Sequence, residues 1–129
     1  MAERNTAYKD GELIPLPVAD ATLIEGGNMV AVNADGYAVP AADEASLVVM
    51  GIADDTADNG NGINGDTVVL VRRKKAFLLD NNGITQAGVG RSVCVSDAHT
   101  VTTAATATND ITAGICLGIE DDGAWIYIG

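Results

Sequence analysis

Turn-forming dipeptides interrupt this chain so often that every apolar run between them is short. Asp35-Gly36, Asn59-Gly60, Asn61-Gly62, Asn64-Gly65 and Asn82-Gly83 each place a residue that tolerates left-handed backbone beside glycine. That is the chemistry of tight hairpin turns. The runs they separate are Asp20–Ile24, Asn28–Val32, Tyr37–Pro40, Leu47–Ile52, Thr67–Val71, Ala76–Leu79, Val93–Val95, Thr100–Thr103, Ile115–Ile119 and Trp125–Ile128. They are rich in valine, isoleucine and threonine, which suit a pleated surface, and poor in the residues that favour helices. Asp43-Glu44-Ala45 allows one helical turn at most. The expectation is an all-β fold, a small barrel or sandwich of about nine to eleven short strands.

Two segments look like copies of two others. Gly27-Asn28-Met29-Val30-Ala31-Val32 aligns with Gly90-Arg91-Ser92-Val93-Cys94-Val95, 63 positions on, and Met50-Gly51-Ile52-Ala53-Asp54-Asp55 aligns with Leu117-Gly118-Ile119-Glu120-Asp121-Asp122, 67 positions on. Two similar halves, neither able to bury a sheet face alone, are expected to close one core together. Gly51 and Gly118 sit inside apolar runs, where glycine marks a bulge or a close backbone approach.

Residues 1–18 read differently. Pro15 and Pro17 at alternate positions exclude a central strand, so this stretch is expected to be an extended arm, in an extended or sheet-edge conformation and docked on its own domain or on a neighbour rather than a disordered tail, ahead of a single β domain over 19–129. Leu13, Ile14, Leu16 and Val18 would be costly to leave in water, which makes them, with Tyr8, candidate docking residues.

The net charge of −11 on 129 residues repels phosphates and anionic lipid heads. Nucleic-acid and membrane-surface roles are disfavoured accordingly. No apolar run approaches the ~20 residues of a membrane helix. The first residues carry no apolar segment behind a basic start, so synthesis in the cytoplasm is expected. Against this acidic background Arg72-Arg73-Lys74-Lys75 gathers four of the seven basic residues. The run reads either as a charge-protected strand edge or as a docking patch for an acidic surface.

Little here suggests catalysis. His99 is the one histidine, and it lies in a Ser/Thr/Ala-rich turn. No nucleophile elbow, phosphate loop or dinucleotide fingerprint is present. Cys94 and Cys116 lie in apolar runs and read as buried reduced thiols. The loop Asp54–Asp66 carries enough oxygens for calcium, but its spacing matches no calcium-loop pattern, and solvated turns are the simpler reading. The chain is therefore expected not to be an enzyme and to need no cofactor.

The layout resembles the capsid cement, or decoration, proteins of tailed bacteriophages and prophages. The likeness rests on an extended arm (Tyr8–Val18), a Gly-initiated Val-rich strand (Gly27–Val32) and the apolar run Val48–Ile52. It continues through a Thr/Ala-rich stretch (Thr100–Thr108), Gly114-Ile115-Cys116-Leu117-Gly118-Ile119 and a last strand, Ala124–Ile128. The resemblance implies a structural protein on the outer surface of the virion, bound to the major capsid protein and forming a homo-oligomer, a trimer in many members. It also implies that the arm pairs with capsid strands by β-augmentation. The rival readings are a tail, fibre or surface-adhesion accessory domain, and a small β-barrel ligand-binding protein or enzyme.

Overall fold

Twelve strands and one 3-10 turn, Gln86–Gly88, make up the described residues of the computed structural model, which are 6–7, 11–121 and 123–129. The strands are β1 (Leu13–Pro17), β2 (Thr22–Ile24), β3 (Met29–Val32), β4 (Ala38–Pro40), β5 (Val48–Ala53) and β6 (Ala57–Asn59). The second part holds β7 (Val68–Arg72), β8 (Lys75–Asn82), β9 (Ser92–Asp97), β10 (Thr100–Thr102), β11 (Thr112–Glu120) and β12 (Gly123–Ile128). The all-β expectation holds. β6 lies inside the stretch expected to be an irregular loop, because three residues of it pair with β2. Asp43–Ala45 forms no helical turn; Asp43 instead bonds to a distant loop, as described below.

The strands fall into two five-stranded units of identical order. β4-β3-β5-β7-β1 forms the first, and β10-β9-β11-β12-β8 forms the second, which closes into a barrel. The pairing of β3 with β5 matches that of β9 with β11 rung for rung. Val30 pairs with Gly51 as Val93 pairs with Gly114, and Ala31 with Val49 as Cys94 with Thr112, each residue displaced by 63. Between those rungs both copies skip a residue, Met50 in one and Ala113 in the other. Val32–Ala38 and Val95–Val101 obey the same displacement. So do the loop bonds. The amide of Gly27 donates to Ala53 and that of Gly90 to Cys116, while the amides of Ala53 and Cys116 donate back to Asn28 and Arg91.

This register corrects the second alignment read from sequence. Gly51 corresponds to Gly114 and not to Gly118. At both positions a Cβ would overlap a carbonyl of the adjacent strand, that of Arg72 in one copy and that of Tyr127 in the other. Glycine is required there because two backbones touch. Gly118 follows a bulge at Leu117, where the pairing with β12 slips.

Residues 13–18 dock on the chain's own sheet. β1 pairs along its length with β7, and Val18 is fully buried. The two sheet units meet between β7 and β8, near residue 73. Val18 donates its amide to Thr67, and Glu12 accepts from the amide of Arg73. Even-numbered positions of β1 thus bond to β7, and Pro15 and Pro17 turn their nitrogens outward, where a missing N–H costs nothing. The position equivalent to Pro17 is Asp80, whose amide donates to His99 at 2.9 Å across the seam that closes the second barrel. With proline in that place the first unit closes only through the parallel bridge of Val18 with Ala38.

The interiors match position by position but not residue by residue. Ile14, Leu16, Met50, Ala53, Val69 and Val71 line the first core. Phe77, Leu79, Ala113, Cys116, Ala124 and Ile126 occupy the corresponding places in the second. Some places gain volume, as Ala53 to Cys116, and others lose it, as Val69 to Ala124, so each interior is built from its own set of side chains. The outer face of β3 and β5, including Met29, Ala31 and Ile52, joins the second core, so the two units share one apolar body. The amide of Met29 reaches Ala98, and Asp43 accepts the amides of Thr108 and Asn109, both at 2.8 Å.

Candidate functional site

A strand that is apolar on both faces needs two partners, and β12 is such a strand. Ala124, Ile126 and Ile128 point into the second core, which leaves Trp125 and Tyr127 on the outside. The register sets their neighbours. Trp125 lies beside Leu78 of β8, and Tyr127 lies between Ala76 of β8 and Ile115 of β11. Leu117, at the bulge next to Trp125, completes the face. Leu78, Ile115, Leu117, Trp125 and Tyr127 are each between 36% and 53% exposed. Three adjacent strands thus present one continuous apolar surface that carries two of the five aromatic residues in the chain. A patch rich in Trp and Tyr is the composition of an interface centre, since these side chains bury much area at low entropic cost.

The first unit serves as an internal control. Arg72 stands where Tyr127 stands in the second, and Asp54 stands where Leu117 stands; the two form an ion pair. The twin position of Ile115 is Ile52, which is buried against the second unit. The twins of Trp125 and Leu78 are Leu70 and Pro15, exposed and apolar in the first unit as well, so the two units differ at three of these five places.

Charge is distributed unequally along the patch. Glu120 and Asp121 stand at the end where β11 turns into β12, and Lys75, beside Ile128, stands at the other. A partner would meet a negative and a positive rim across an apolar centre, an arrangement that sets orientation. The basic run divides among several tasks: Arg72 pairs with Asp54, Lys75 lies 3.9 Å from Glu12, and the Arg73 Nε is buried with no hydrogen-bond partner among the described residues. Lys74 adopts a φ of 61° at the junction between β7 and β8 and donates its amide to Ile128.

Of the residues expected to dock, Ile14 and Leu16 are half-buried against the first core and Val18 is sealed within it, while Leu13 is exposed. Tyr8 lies outside the described residues. The acidic loop 54–66 folds around its own backbone. Asp55 accepts from Thr56, Asp58 from Gly60 and Asp66 from Ile63. Among the described residues no three metal-ligating side chains converge. His99 sits at the barrel seam with Nδ1 2.9 Å from the Asp80 carboxylate and 3.5 Å from Asp97. Cys94 and Cys116 are buried and unpaired, and desolvation pushes the Cys94 thiol up.

The outer patch was missed at the level of sequence, although Trp125-Ile126-Tyr127-Ile128 carried its signal: alternation between two apolar classes, where a solvated face would show polar residues. Comparison with known protein families, curated proteins and solved structures found no match for this chain.

Proposed function

We propose that the chain is a non-enzymatic structural protein that binds the outer surface of a phage capsid and stabilises it, with the major capsid protein as partner. The observation that carries this reading is the apolar face of β8, β11 and β12. The second core is lined by the opposite faces of these strands, so the face is not needed to form it, and three of its five twin positions in the first unit are charged (Arg72, Asp54) or covered (Ile52), while Leu70 and Pro15 stay exposed. An apolar surface of this kind marks a site for another macromolecule. The layout of the chain, which resembles cement proteins, supplies the class of partner.

The mechanism is additive. Each bound copy stabilises only the assembled shell, and many copies sum to a large effect through mass action and avidity. The reading places no weight on β-augmentation by residues 13–18, since Pro15 and Pro17 offer no donors along the outer edge of β1. The test is to mix the purified protein with expanded, undecorated shells of the phage or prophage that encodes it. Saturable binding and a higher shell melting temperature are expected. A protein that leaves the shells unbound refutes the reading.

A further inference from the structure

The two units differ by one insertion. The displacement between the copies is 63 up to β5 and β11, and it falls to 55 from β7 and β12 onward, since Val71 occupies the place of Ile126. Eight additional residues therefore lie between β5 and β7. They build β6, which covers β2 by antiparallel pairing and buries Ala57 against Ile24. The second unit has no such cover. The segment equivalent to β2, Thr85–Ala87, borders an open pocket of about 340 Å³, lined among others by Ile84, Ala87, Gly88, Arg91, Val93 and Ala104. No carboxylate lines it.

The same insertion ends in a rigid tip. The Asn59 side-chain amide is buried and donates to the carbonyls of Val18, Ala19 and Ile63. Asn64 accepts the amide of Asp20, and the amide of Gly65 donates to Val18. These bonds hold Ile63 out from the surface at 70% exposure, more than any other large apolar side chain described. The exposed Asp66 carboxylate accepts the amide of Ile63, and the backbone of the exposed Asp20 is bonded to the neighbouring Asn64, so the loop carries negative charge beside its tip. A branched aliphatic side chain held in water on a braced loop is costly unless something receives it.

We propose that the Ile63 loop of one copy seats in the Ile84–Arg91 pocket of a second copy, joining chains head to tail. The knob is apolar with negative charge beside it, and the pocket is apolar with Arg91 at its wall, so shape and charge agree. The pocket exists because the second unit lacks the cover that the insertion gives the first, so the inserted segment of a neighbour restores to it what its twin supplies internally. Such a contact uses two different surfaces and propagates from copy to copy. It is independent of the apolar face assigned to the shell.

The test is sedimentation velocity on the purified protein from micromolar to millimolar concentration. The wild type should rise above the 13.2 kDa of one chain, and added salt should weaken the association. Ile63→Asp and Ala104→Trp alter exposed side chains, and circular dichroism checks that both fold. Each alone should remain a single chain. Mixed in equal amounts they should form a two-chain complex, since one retains the pocket and the other the knob. A wild type that stays monomeric throughout, or self-association that survives either substitution, overturns the proposal. Shell binding by that monomer would leave the capsid reading intact.

Discussion

Trp125→Ala tests the shell-facing surface most directly. Trp125 is 36% exposed. An aromatic side chain of this size buries up to about 250 Å², so roughly 90 Å² remains for a partner to cover. At about 25 cal/mol/Å² that area is worth roughly 2 kcal/mol, or about 30-fold in the affinity of one site. The assay is co-sedimentation with expanded shells across a range of protein concentrations, with melting of the free protein measured in parallel. Leu70→Ala is the matched control, because Leu70 is the twin of Trp125 on the first unit. The expected result is a shift of the binding curve by about an order of magnitude or more for Trp125→Ala and by less than threefold for Leu70→Ala. If the two variants bind alike, the outer face of the second barrel is not the contact.

Three further expectations concern the scaffold. Gly114→Ala forces a Cβ against the carbonyl of Tyr127 and should cost about 2 kcal/mol or more in chemical denaturation, as should Gly51→Ala against that of Arg72. Asn59→Asp removes a buried donor that faces three carbonyls and puts charge in its place; a loss of about 3 kcal/mol is expected, with the second barrel keeping its slowest hydrogen-exchange rates. The amide of Thr108, followed by that of Asn109, holds the Asp43 carboxyl below its ordinary range. Because the folded value is the lower one, this contribution is complete above the unfolded pKa and is lost as pH falls through the folded one. Melting measured from pH 5 to pH 2 should therefore decline more steeply in the wild type than in Asp43→Asn. Equal slopes would remove Asp43 from the joint between the units.

The fold class was legible because turn chemistry and β-branched runs act locally, and the hairpin at Asn33–Gly36 lies where its residues place it. The duplication was legible only in part. Gly-Ile-x-Asp-Asp is the more conspicuous repeat, yet Asp54 and Asp55 serve local turn and ion-pair needs. The true correspondence is set by two backbones touching at Gly51 and Gly114, which no pattern of side chains announces. Exchanged core volumes, such as Met50 against Ala113, hide the rest. The prolines of β1 exclude a central strand and fit a sheet edge, with their spacing of two turning both nitrogens to the same side, but they do not say which strand β1 pairs with. The outer patch depends on which strands become neighbours, since Leu78, Trp125 and Leu117 come together only when β8, β12 and β11 align.

The substitution of Pro17 for a residue with an amide gives the two halves different ways to come apart. The second barrel is hydrogen-bonded on every flank and has no free border from which to unzip. The first has a slit, pinned at Val18 and Ala38, where thermal fluctuation can begin. A duplicated chain is prone to exchange equivalent strands between its copies. Proline makes β1 a poor substitute for β8, because it cannot supply the seam bond that Asp80 makes. The slit thus helps each half find its own strands, at the expense of a weaker wall.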